Sequence, residues 1–223
     1  GLAYTDAVGA RAVQVFVGNP RGWKLTAGDP RQDALFTAGC AERGVPSFVH
    51  TPFLVNVGSP TEATVEQSVA TIAHNLARGA RLGCRGVVVH AGSAVGEDRY
   101  EDALRQLHER LLPVLEAAPD DGPRLLVEPT AGGGRSLAAT VEDLGPYFAA
   151  LEHHPVDRHP GAEGEVGARE GGVEVVVGGG LADPVHHVEG DRPDPDGAGG
   201  VVVVHPVVAG GEGGLGEALL QLH

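Results

Sequence analysis

Apolar residues recur along the first two thirds of the chain in two alternating patterns. Short β-branched runs, Ala12–Val17 (AVQVFV), Ser47–His50 (SFVH), Gly86–His90 (GVVVH) and Arg124–Glu128 (RLLVE), begin 35 to 39 residues apart, the length of a strand plus a crossover helix. Between them the apolar spacing changes to threes and fours. Val65, Val69, Ile72 and Leu76 line one face of a helix over 61–82. Tyr100, Leu104, Leu107, Leu111 and Val114 do the same over 98–118, where Pro113 is expected to kink or interrupt the helix. Asp29-Pro30 has the cap-then-proline form of a helix start, and Thr140 with Asp143 resembles a capping box before Leu144, Phe148 and Leu151. Four strands and four helices fit before residue 153.

Strands that are apolar on both faces and alternate with helices imply a parallel sheet, either open and doubly wound or closed as a (β/α)8 barrel. The polar residues favour the barrel. Asn19, Arg21, His50, His90 and Glu128 all lie at or just past the C-terminal ends of predicted strands. A barrel builds its active site from all its strand ends, whereas an open sheet usually binds at one switch point.

Composition divides the chain. All nine aromatic residues lie at or before Phe148. From Gly161 onward, 47 of 63 residues are Gly, Val, Ala, Glu or Asp, and the segment carries eleven acidic residues against Arg169 and Arg192. We therefore expect a partial barrel over 1–154 and an irregular, Gly/Val-rich acidic segment, degenerate or disordered, over 155–223. All five abundant residue types have codons beginning with G, so a GC-rich gene read out of frame explains this segment, and a flexible acidic tail is the other explanation. With no Met anywhere, the start reads as a fragment boundary.

The net charge of -14 would argue against a nucleic-acid partner, because Lys and Arg supply non-specific DNA affinity. Nine of those charges belong to the last 63 residues, leaving the first 160 at -5. Bound cations can offset a carboxylate-rich cleft, so acidity is weak evidence here. Cys40 and Cys84 lack metal-ligand or redox spacing. With no long apolar run and no secretory leader pattern, the expectation is a soluble, cytoplasmic monomer with no membrane partner.

His50, His90 and Glu128 each end a strand, and parallel strands in a curved sheet gather those ends around one mouth. Two His and one Glu form a catalytic zinc set that leaves a position for water. Any one of them alone would read as a hydrogen-bonded surface residue; three in successive repeats would not. Their loops, His50-Thr-Pro-Phe-Leu-Val-Asn56, His90-Ala-Gly-Ser93 and Glu128-Pro-Thr-Ala-Gly-Gly-Gly134, suit tight exits from the strands. The glycine run at 132–134 lacks the Lys-Ser/Thr of a nucleotide-binding loop.

The segments VQVFVGNPRGW (13–23), HTPFLVNVGSP (50–60), GVVVHAGSAVG (86–96) and LLVEPTAGGG (125–134), in this order and spacing, resemble the endonuclease IV family of abasic-site endonucleases. The resemblance covers roughly residues 1–154. It implies a (β/α)8 barrel holding three zinc ions, with His50, His90 and Glu128 as ligands and Glu128, the catalytic candidate, bridging two ions. It also puts Arg21 and Phe53, with Asn19 beside Arg21, on loops that contact double-stranded DNA at an abasic site. A guanidinium and an aromatic ring can fill a stack where a base is missing. The alternative for Phe53 is a loop anchor on the barrel rim, and for Arg21 a solvated arginine; Trp23 is expected to pack. The implied reaction is hydrolysis of the phosphodiester bond 5′ to the lesion by zinc-activated hydroxide.

Beyond residue 154 the family's mid-barrel motifs are absent. Asp157-Arg158-His159 resembles a later metal loop, so Asp157 and His159 are candidate ligands of a third zinc. Glu174 and His205 are poor ligand candidates because their flanks or order do not match. Activity is accordingly expected to be impaired in this chain. The alternatives are a sugar isomerase or epimerase on the same kind of barrel, or an inactive fragment.

Overall fold

The computed structural model describes residues 2–96, 98–130, 135–152, 174–175 and 202–203. Helix α1 (Leu2–Val8) precedes four βα units: β1 (Val13–Val15) and α2 (Pro30–Arg43), β2 (Ser47–His50) and α3 (Glu62–Leu82), β3 (Gly86–His90) and α4 (Tyr100–Glu116), β4 (Arg124–Glu128) and α5 (Val141–Glu152). Strands β1 to β4 pair parallel in sequence order. Two short strands extend the sheet: β5 (Glu174–Val175) pairs parallel with β4, and β6 (Val202–Val203) pairs antiparallel with β1. The result is an incomplete TIM-barrel-like α/β fold of four parallel βα units.

The sheet sorts its side chains by the two-residue period of a strand. Val13 and Val15, Val49, Val87 and Val89, and Leu125 and Val127 face the helices and join Val65, Ile72, Leu104, Leu107, Leu111 and Tyr147 in one core. Phe48, Val88 and Leu126 form a second cluster on the opposite face, the side that a barrel would enclose. Gly86 belongs to that inner layer. A Cβ there would lie 2.6 Å from Leu126 Cδ1 and 3.2 Å from the Arg124 carbonyl, so the bare backbone is what admits Leu126.

The helices begin and end where their local chemistry dictates. Asp29 caps α2 by accepting from the Arg31 and Gln32 amides, and Gly44 closes it in the left-handed conformation. Asp143 Oδ2 accepts from the Ala139 and Thr140 amides, the reverse arm of the expected capping box. Helix α4 continues through Pro113 to Glu116, so the expected interruption is absent, and the Ala117 amide donates to the Pro113 carbonyl. Helix α1 is the element that hydrophobic periodicity missed: seven residues are too few to establish a period. Asp6 fixes it to α2 through a two-pronged pair with Arg43.

A second two-pronged pair joins α2 to α3. Arg78, whose side chain is 5% exposed, donates to both Asp33 oxygens at 2.6 and 2.9 Å. These hydrogen bonds hold the Asp33 carboxyl below its usual 3.8. Because the folded-state value is depressed, the pair stabilises the fold above pH 3.8 and loses its contribution as pH falls through the lower folded value. Arg78→Leu should therefore cost about 2 kcal/mol at pH 7, because Asp33 loses both hydrogen bonds and keeps only the longer Arg81 contact at 3.6 Å. Denaturant unfolding checks this, and the difference from wild type should narrow below pH 3.8.

Candidate metal centre

Strand pairing sets the site. His90 lies opposite Glu128, and His50 opposite Val88, one inward-facing position earlier. All three ligand candidates share the face of Phe48, Val88 and Leu126, at the C-terminal ends of adjacent strands. One ligand atom from each of His50, His90 and Glu128 lies within 4.8 Å of the others; among the described residues this is the group of His, Cys, Asp and Glu side chains that could hold a metal ion.

The hydrogen bonds of His50 test whether a cation fits. Its Nδ1 donates to the Thr51 carbonyl at 2.6 Å. A carbonyl only accepts, so Nδ1 carries a proton, and Nε2 faces Glu128 Oε2 at 3.2 Å. A lone pair against a carboxylate is repulsive unless a proton or a cation lies between them. The His50 and Glu128 side chains are 5% and 12% exposed, so water screens this contact little. Two donors on one tetrahedral zinc, at bonds of about 2.0–2.1 Å, stand about 3.3 Å apart. A ligating imidazole typically donates its other nitrogen to a carbonyl or carboxylate, as His50 does to Thr51. The residues fit zinc.

Hydrogen bonds stitch the three loops together. Asn56, on the β2 loop, accepts at Oδ1 from the Ser93 amide (2.9 Å) and donates from Nδ2 to the Ser93 carbonyl (3.0 Å) on the β3 loop. Gly92 makes that approach possible: its φ is +84°, and a Cβ there would stand 2.9 Å from Asn56 Oδ1. The Leu137 amide donates to the Gly92 carbonyl at 2.9 Å, which brings in the segment after β4. Asn56 and Ser93 had no assigned role in the sequence. Their loops mark them only as turn formers, because the contact spans 37 residues.

Around the histidines stands a cluster of rings. Phe16, 5% exposed, packs 5.2 Å from His50, and Phe53 meets both imidazoles, 5.7 Å from His50 and 5.9 Å from His90. Phe16 carries no chemistry-bearing group, and only its position at the end of a strand adjoining His50 could have singled it out. Asn19 and Arg21 are exposed on the β1 loop, where Asn19 Oδ1 accepts from the Arg21 amide at 2.8 Å. The Phe53 amide donates to the Pro20 carbonyl at 2.9 Å, joining that loop to the β2 loop. Trp23 packs against the core, as expected. Asp157, His159 and His205 lie outside the described residues, as does the side chain of Glu174. No helix among the described residues is long and apolar enough to cross a membrane.

A family model described as xylose isomerase-like TIM barrel matches residues 2–156. A "Probable endonuclease 4" of Streptomyces avermitilis is 55% identical over 156 residues, covering 70% of this chain and 50% of the relative. "Endonuclease 4" of Thermus thermophilus is 41% identical over 139 residues, covering 62% and 48%. The crystal structure of endonuclease IV from Thermus thermophilus is similar with a TM-score of 0.55 and 36% identity, over 66% of this chain and 52% of that one. That of a 3-keto-D-glucoside 4-epimerase from E. coli shares the fold, with a TM-score of 0.52 and 16% identity over 67% and 57%. The chain spans about half the length of the curated relatives it matches. It belongs to the endonuclease IV-type AP-endonuclease family of xylose isomerase-like TIM barrels.

Proposed function

We propose that this chain carries part of the active site of a zinc-dependent DNA-repair hydrolase, which cuts the phosphodiester bond 5′ to abasic sites in double-stranded DNA. One observation carries the reading: a His, His, Glu ligand set converges within 4.8 Å inside a stretch 55% identical to a relative named as an endonuclease 4. The sugar-epimerase alternative rests on a likeness of 16% identity, which bears on the fold alone.

His50, His90 and Glu128 would hold one zinc. When bound, zinc supplies Lewis acidity that neutralises charge on the phosphate oxygens and activates the attacking water. The Thr51 carbonyl accepts from His50 Nδ1, which would leave Nε2 to hold the ion. Glu128 brings a negative charge and two oxygens, so a carboxylate here can serve two neighbouring ions; the three-zinc arrangement implied by the family resemblance would draw on ligands beyond this set. Asp157 and His159 remain the candidates for a third ion. Arg21, exposed beside the Asn19 turn, and the exposed face of Phe53 lie on two loops joined to each other, a suitable pair for filling the gap left by a missing base.

The full 223-residue chain should incise a duplex containing one abasic site on its 5′ side, more slowly than a full-length relative, because it spans about half the length of such relatives. A chelator should abolish incision and added zinc restore it; isomerisation of a sugar without incision would overturn the reading. Loss of an outer partner of a metal site costs about 10–100-fold in affinity, so Glu128→Gln, which removes a direct ligand charge, should weaken zinc binding by at least about a hundredfold. Chelator competition measures it. Arg21→Ala should leave zinc affinity unchanged and weaken binding of the abasic duplex about tenfold, the loss expected for one stacking or charged contact, read by fluorescence anisotropy.

A further inference from the structure

Four rings close on one another beside the ligand set. Phe53 stacks on His90 with centroids 5.9 Å apart and planes at 23°, and it meets His50 edge-on at 63°. The two imidazoles stand 5.1 Å apart at 83°, and Phe16 touches both His50 and Phe53. Phe53 is nonetheless 39% exposed and sits on a loop, so the core does not hold it there. One face of its ring lies on His90.

We propose that Phe53 is a positioning residue for the zinc site, its ring fixing the imidazole plane of His90 so that its donor nitrogen turns toward the His50 and Glu128 donors. The inference rests on the reading of His50, His90 and Glu128 as zinc ligands. An imidazole donates along a lone pair in its own plane, so it ligates well only when that plane contains the direction to the ion. Rotation about the bond to the ring has a broad, two-fold preference, and packing must choose the angle. For His50 the Thr51 carbonyl holds one nitrogen and Phe16 backs the ring. Phe53 adds a flat support for the His90 ring. The Phe53 amide bond to the Pro20 carbonyl anchors the loop that carries this support. A leucine at 53 would keep much of the apolar volume but present no flat face.

The test titrates zinc alone against a competing chelator, using the full chain as wild type, Phe53→Leu and Phe53→Tyr, and records the melting temperature of each without metal. Phe53→Leu should weaken zinc binding about tenfold and Phe53→Tyr restore it to within about twofold, in line with the cost of losing an outer partner. The metal-free melting temperatures should agree among the three. Wild-type affinity in Phe53→Leu, or an affinity in Phe53→Tyr as weak as in Phe53→Leu, would overturn the proposal. So would a loss of zinc binding that tracks a lower metal-free melting temperature, since that is general loosening of the loop. If the wild-type chain binds no zinc, the zinc-site reading itself fails, and this inference fails with it. If the wild type binds and Phe53→Leu matches it, only this inference fails.

Discussion

The register of three parallel strands is the constraint on which the site depends. Pairing of His90 with Glu128 and of His50 with Val88 puts all three ligand candidates on one face of the sheet. A slip of one residue in any of these pairings would turn a ligand into the helix layer and an outer valine into the barrel interior. The valines facing the helices oppose that slip, since Val49, Val87, Val89 and Val127 are each at most 2% exposed. Burial on one face thus secures chemistry on the other. Each fully buried Val or Leu contributes on the order of 1.5–3 kcal/mol, more than the small differences between polar arrangements at a sheet end could overcome.

What the strands position, the loops refine. The Asn56–Ser93 and Gly92–Leu137 hydrogen bonds tie the three loops that follow the ligand strands, and the Phe53–Pro20 bond adds the loop after β1. Parallel strands leave their loops on the same side, so polar backbone groups from different units come within reach of one another. The site is consequently built by contacts between repeats, with one candidate ligand from each of the units that begin with β2, β3 and β4. The helix layer is tied in its own way, through the Asp33–Arg78 pair.

Much of this was legible in the chain itself. The bounds of β2, β3 and β4 agree with the runs SFVH, GVVVH and RLLVE, because β-branched residues and the turns around them mark both ends. Strand β1 is shorter than AVQVFV suggested, with only Val13–Val15 in the ladder. The candidate ligand set was readable because His and Glu recur at one place in successive units. The ring cluster was not: Phe16 and Phe53 look like any core or loop aromatics until the fold sets them against His50 and His90. Asn56 was hidden for the same reason, its partner being far away along the chain. Pro113 did not set the helix end, which lies at Glu116, within two residues of the expected 118.

Whether His50, His90 and Glu128 together hold one zinc ion is tested most directly by X-ray absorption at the zinc edge of the purified, zinc-loaded chain, because nitrogen and oxygen ligands differ from sulfur in bond length. Light-atom ligands alone are expected at about 2.0–2.1 Å, two of them with the multiple-scattering signature of imidazole. A sulfur shell near ~2.3 Å, which would implicate Cys40 or Cys84, or the lack of any imidazole signature, would contradict it.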